Sequence, residues 1–121
     1  MECKICKTHQ NLQEKEFIIS SEYWILRHSE KEKNCPGYLY LEPKNHVESF
    51  FEIPESAWKE QGEIFKQAFD WIKKRFEPKK IYIVTISEAV PHIHYHIVPR
   101  YNDDTKGIPY LDLALTGKLP G

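Results

Sequence analysis

The sequence predicts an α+β fold in which an antiparallel sheet of about five strands carries one long helix packed on one face. Three observations lead there. Short runs rich in β-branched and aromatic residues recur along the chain, as strands require. A single long stretch, residues 54–76, has the three- and four-residue apolar spacing of an amphipathic helix, and strands precede and follow it without alternating helices. The last two strand-like runs are joined by residues 87–90 alone, a connection that antiparallel neighbours can use and parallel ones cannot.

The chain opens with Cys3-Lys4-Ile5-Cys6. A Cys-x-x-Cys is compatible with half of a zinc site, a redox couple or coincidence, and a redox pair normally follows a strand, which this one does not. Two histidines from elsewhere would complete a tetrahedral ligand set. Residues 7–15 are polar and read as loop or a short turn. Residues 16–20 and 23–28 read as the first two strands, with His28 a surface residue near a strand end. Residues 29–37 form a solvated loop ending in the turn-forming Cys35-Pro36-Gly37, with Cys35 a free thiol. A third strand follows and is stopped by Pro43; Lys44, Asn45 and His46 come next.

In residues 54–76 the predicted stripe is Trp58, Phe65, Ala68, Phe69, Ile72 and Phe76. Pro54 and Glu55 suit the helix start, and Lys73, Lys74 and Arg75 its negative end. With Lys79 and Lys80 these cations are a solvated helix end rather than a nucleic-acid footprint. Residues 80–86 read as a strand.

The final predicted strand, residues 91–100, is the most informative. His92, His94 and His96 alternate with Ile93, Tyr95 and Ile97, so the imidazoles share one face while the apolar residues enter the core. Pro91 and Pro99 fit its two ends. Imidazoles can bind metal, shuttle protons or attack an electrophile. His92 and His96 lie about 13 Å apart along a strand, so all three cannot converge on one ion, though two neighbours can with a further ligand from elsewhere. From Tyr101 onward the chain reads as a short helix or an extended arm.

The 121 residues, 40% hydrophobic and 13% aromatic, support one domain with a modest core. A formal charge of -1 gives no bulk attraction to nucleic acid or to an anionic membrane, so neither is expected as a partner. No apolar run approaches bilayer length, and Met1-Glu2-Cys3-Lys4 lacks a signal-peptide core. Three cysteines, an odd number, fit reduced thiols in the cytoplasm.

Two motifs together resemble a known family. His92-x-His94-x-His96 followed by Ile97 and Val98, and Gly37 with apolar residues leading to Pro43-Lys44-x-His46, are similar to the signatures of the histidine triad (HIT) family of nucleotide hydrolases and transferases. The resemblance implies a single HIT-like domain over residues 1–121, with a zinc-binding N-terminus at 1–10 and a tail at 101–121. By position it implies Cys3, Cys6, His46 and His92 as ligands of a structural zinc. It implies His94 as the nucleophile on a nucleotide α-phosphorus, forming a nucleotidyl-histidine that water cleaves. His96 is implied to bind phosphate oxygens and assist the leaving group, and a histidine rather than glutamine there points to hydrolysis. The implied activity is cleavage of a dinucleoside polyphosphate or nucleoside phosphoramidate. The alternative is a catalytically weak nucleotide-binding or regulatory protein of the same fold. A third reading uses two triad histidines as ligands of a catalytic metal. The family often forms twofold dimers, so a homodimer is expected.

The chain departs from the family pattern ahead of the triad, where the loop is short and lacks glycine. Glu88 and Ala89 stand where a glutamine and a hydroxyl residue normally meet the phosphates. Arg100 and Lys44 are candidate compensating cations, expected at the surface. Glu30 is nearest to the family's ribose-binding acid. Tyr23, Trp24 and Ile25 fall near the base pocket, a placement that core packing explains equally well.

Overall fold

The computed structural model describes residues 3–12 and 17–120. In chain order the elements are α1 (Lys4–Asn11), β1 (Phe17–Ser20), β2 (Trp24–His28), β3 (Leu39–Pro43), α2 (Glu55–Phe76), β4 (Lys80–Val84), β5 (Tyr95–Arg100) and α3 (Gly107–Leu115), with 3-10 turns at Lys31–Lys33 and Phe50–Glu52. The strands form one antiparallel sheet in the order β1-β2-β3-β5-β4. Among the described residues no helix is long and apolar enough to cross a membrane.

The pleat sorts side chains as the alternation requires. Leu39, Leu41, Tyr95 and Ile97 join Trp24 and Leu26 on one face, against Ala57, Ile64, Ala68 and Ile72 of α2. The buried stripe of α2 is thus rotated from the predicted one. Trp58 and Phe76 remain 39% and 37% exposed. Small alanines at positions 57 and 68 let the helix approach the sheet closely, and larger rings then fit only along its flanks. Trp24 fixes the approach by donating its indole N–H to the Ala57 carbonyl at 2.9 Å.

The opposite face carries Tyr38, Tyr40 and Val98, covered by Tyr110 and Ala114 of α3. The tail is therefore a helix, and the sheet is packed on this side as well. Gly37 enters β3 at φ +80°, where a Cβ would come within 3.0 Å of the Phe76 ring.

Four expectations are corrected. Residues 7–11 are not loop: they belong to α1, whose N-cap is a thiol, Cys3 Sγ accepting the Cys6 N–H at 3.3 Å. Only Ile5 of this helix is buried, so no apolar period announced it; residues 13–15 of that predicted loop lie outside the described residues. The histidine strand begins at Tyr95 rather than residue 91, because Ile93 N–H donates to Val47 O at 2.8 Å and turns the chain toward the segment after β3. Pro99 does not end it but lies opposite Ile81 in the ladder. Arg100 is not a surface cation: it is 8% exposed and bonds Asp103, the Asn102 carbonyl and the Tyr82 hydroxyl. Lys44 is exposed, as expected.

One buried carboxylate ties α1 to the sheet. Glu42 is 1% exposed and accepts from Arg27 Nε at 2.7 Å, Arg27 Nη2 at 2.8 Å and His9 Nε2 at 2.8 Å. Burial alone would favour its neutral form, but the bonds from His9 and Arg27 prevail and hold its pKa at about 2, below the ordinary 4.5. A depressed folded pKa contributes stability that is full above the unfolded value and lost as pH falls through the folded one, here from 4.5 toward 2. A shift of this size corresponds to about 3 kcal/mol. Glu42→Gln is expected to flatten that part of the acid limb in urea unfolding measured at stepped pH. The same steep limb in the variant would show that other carboxylates control it.

Candidate active site and metal centre

Four predicted ligands meet. One ligand atom each from Cys3, Cys6, His46 and His92 lie within 4.8 Å of one another. The Cys3 Sγ–His92 Nδ1 and Cys6 Sγ–His92 Nδ1 separations are 3.4 Å, and Cys6 Sγ–His46 Nδ1 is 3.6 Å. Bonds of about 2.3 Å to sulfur and 2.0–2.1 Å to nitrogen at a tetrahedral angle place those atoms about 3.5 Å apart. The donor set therefore fits a closed tetrahedral ion. The remaining ring nitrogens agree: His92 Nε2–H donates to Pro43 O at 2.8 Å and His46 Nε2–H to Glu48 Oε2 at 2.7 Å. Each imidazole thus turns a lone pair at Nδ1 toward the thiols, in the outer-shell arrangement usual for metal-binding histidines. The elements converge by construction: α1 supplies both cysteines, His46 follows β3, and His92 precedes β5. This cluster can bind a metal.

His94 and His96 stand outside it. His94 Nδ1–H donates to the His92 carbonyl at 2.8 Å, which can only accept, so in the neutral ring Nε2 carries the lone pair. His96 lies opposite Tyr40 in the β3–β5 ladder, and its Nδ1 is hydrogen-bonded to the Tyr38 hydroxyl at 2.7 Å. Burial pushes the phenol of Tyr38 upward, so it stays protonated, and it donates to Nδ1 when the His96 proton sits on Nε2. Burial, then the neighbouring His94, lowers His96 to about 4, so its ring is neutral near pH 7. The two rings lie 5.0 Å apart.

Both line a cleft of about 330 Å³ whose walls include Lys4, Ile5 and Thr8 of α1, Arg27, Glu30, Tyr40 and Glu42. Glu30 accepts the Tyr40 hydroxyl at 2.5 Å and also borders a larger hollow of about 720 Å³, which shares Thr8 and Arg27. Arg27 is held over the Tyr40 ring at 4.7 Å. Glu88 and Ala89 are exposed and do not line the cleft; Val90 does. Trp24 and Ile25 are buried, and Trp24 and Tyr23 pack in or on the α2-facing core. Tyr38 and the α1 residues are additions to the predicted site. Tyr38 becomes visible only once β3 is known to lie beside β5.

The sequence profile described as HIT domain matches residues 10–103. The chain belongs to the HIT family. An uncharacterised HIT-like protein of Saccharolobus solfataricus is 27% identical over an alignment of 93 residues, with 73% of this chain and 67% of that protein covered. The crystal structure of a HIT family member from Bacillus subtilis superposes with a TM-score of 0.72 at 19% identity, covering 100% of this chain and 99% of the other. A zinc-bound histidine triad protein from Mycobacterium smegmatis superposes at 0.69 with 16% identity, covering 98% and 91%. These likenesses bear out the antiparallel HIT fold.

Proposed function

We propose that this HIT protein is a nucleotide phosphohydrolase that cleaves a dinucleoside polyphosphate or a nucleoside phosphoramidate at the α-phosphate. The observation that carries the reading is the state of His94: its Nδ1–H is committed to the His92 carbonyl, leaving the Nε2 lone pair available beside the cleft. In the first step Nε2 attacks the α-phosphorus, an N–P bond forms, and the bond to the leaving oxygen or nitrogen breaks. His96 holds phosphate oxygens through its ring N–H; the negative charge of bound phosphate raises the basicity of the ring so that it takes up a second proton from solvent, and the imidazolium passes that proton to the departing group. Water then attacks the nucleotidyl-histidine, the N–P bond breaks, and the nucleoside monophosphate leaves with His94 restored.

Glu30, fixed by Tyr40 at the junction of the two hollows, is assigned to the ribose hydroxyls. Glu88 and Ala89, exposed on the connection ahead of the triad, are assigned to substrate binding. Zinc is the ion assigned to Cys3, Cys6, His46 and His92: two thiolates and two imidazoles suit it, and it would pin α1 to the sheet without taking part in the reaction. A cytoplasmic setting keeps those thiols reduced. Exposed Ile83 on the edge strand β4, with Ile86 just beyond, supports the homodimer.

Mass spectrometry of protein quenched during incubation with diadenosine polyphosphate or adenosine phosphoramidate tests the reading. A nucleotidyl increment mapped to His94 is expected. Binding of these nucleotides without any increment or product would favour the regulatory alternative.

A further inference from the structure

His94 has four polar groups, and three of them are already engaged. Nδ1–H donates to His92 O, the backbone N–H donates to Ser87 Oγ at 3.1 Å, and the backbone C=O accepts from Thr85 Oγ1 at 2.9 Å. The β4–β5 ladder ends at the Val84–His96 pair. Past that point two hydroxyls on the β4–β5 connection take over and grip both sides of the histidine's backbone. Ser87 does this at φ +56°, in the left-handed region that a side-chain-bearing residue avoids and glycine accepts. A glycine would relieve the strain at this position; serine adds only a hydroxyl, and that hydroxyl is bonded to His94. Strain retained beside a reacting group points to function.

We propose that Thr85 and Ser87 are positioning residues for His94: they fix its backbone so that its ring reaches the His92 carbonyl and Nε2 stays aimed at the substrate. This inference rests on the hydrolase reading for its kinetic consequence, though not for its structural one. Holding the peptide on both sides fixes the origin of the side chain, and hence the line of attack. Misplacement of about 1 Å in a reacting pair costs about 100-fold in rate.

The test is Ser87→Gly, which removes the hydroxyl and relieves the left-handed strain at once. Its unfolding temperature is expected at or above that of the unchanged protein, while single-turnover formation of the nucleotidyl adduct slows about 10–100-fold with little change in substrate affinity. Thr85→Val is expected to slow the same step, and Thr85→Ser to restore it. Two-bond proton–nitrogen spectra of the His94 ring, recorded without substrate, give an independent readout. The unchanged protein is expected to show a single tautomer protonated at Nδ1, and Ser87→Gly a mixture. Retained rate and a retained single tautomer in Ser87→Gly would overturn the proposal, as would parallel losses of stability and rate, which mark a purely structural serine. If no adduct forms even on the unchanged protein, the hydrolase reading fails by itself, and the tautomer comparison still decides the grip.

Discussion

Replacing His94 with alanine should abolish turnover, by at least about 10⁴-fold, as removal of a covalent nucleophile does. The same change should leave metal content and thermal unfolding close to those of the unchanged protein. The two halves of this outcome have separate causes. The ring lies half-buried at a cleft wall, and its one side-chain bond is to a carbonyl that water can satisfy instead. Its removal opens no sealed apolar cavity, so the stability cost stays small. The metal cluster takes its imidazoles from His46 and His92, and position 94 contributes nothing to it. Turnover, by contrast, loses the nucleophile assigned to it. The other cleft imidazole, His96, has its Nδ1 hydrogen-bonded to the Tyr38 hydroxyl. Steady-state assay, metal analysis and a melting curve on one preparation check all of this. Activity within tenfold of the unchanged protein would remove His94 from the chemistry.

The readable part of this fold is the part governed by short periods. The alternation at residues 93–97 placed Ile93, Tyr95 and Ile97 in the α2-facing core, where they are found. The helix over residues 54–76 was visible from its spacing to within a residue or so of its observed ends. The candidate metal cluster was legible by position within a family pattern, and its four residues do converge. What escaped reading depends on contacts between distant segments. α1 carries one buried residue and is capped by a thiol, so its formation draws on His46, His92 and Glu42 far along the chain. The role of Tyr38 requires β3 to lie beside β5, an order that consecutive strand runs do not specify. Arg100 looked like a surface cation because its partners, Tyr82 and Asp103, come together only when β4 and the turn after β5 are in place. The departure at Glu88 and Ala89 drew attention to the missing hydroxyl, while the hydroxyls that touch His94 stand a few residues earlier, at Thr85 and Ser87.

Stripping the metal should do damage of a different kind, lowering stability and substrate affinity together. Free zinc at a thousandfold above its dissociation constant contributes about 4 kcal/mol to the folded state. For a domain of this size that amounts to about 10 °C or more in unfolding temperature. The loss should concentrate on α1, which keeps Glu42 and the buried Ile5 as its main remaining anchors. Because Lys4, Ile5 and Thr8 form one wall of the cleft, their release should weaken nucleotide binding even though His94 and His96 are untouched. Chelation and Cys6→Ser should therefore agree in lowering the melting temperature and raising KM, with re-added zinc rescuing only the chelated protein. Hydrogen exchange should show residues 4–11 opening while β3 and β5 stay protected. A catalytic ion would behave otherwise. Its removal would abolish kcat with the melting temperature and the protection of α1 unchanged, and that outcome would transfer the metal from the scaffold to the reaction.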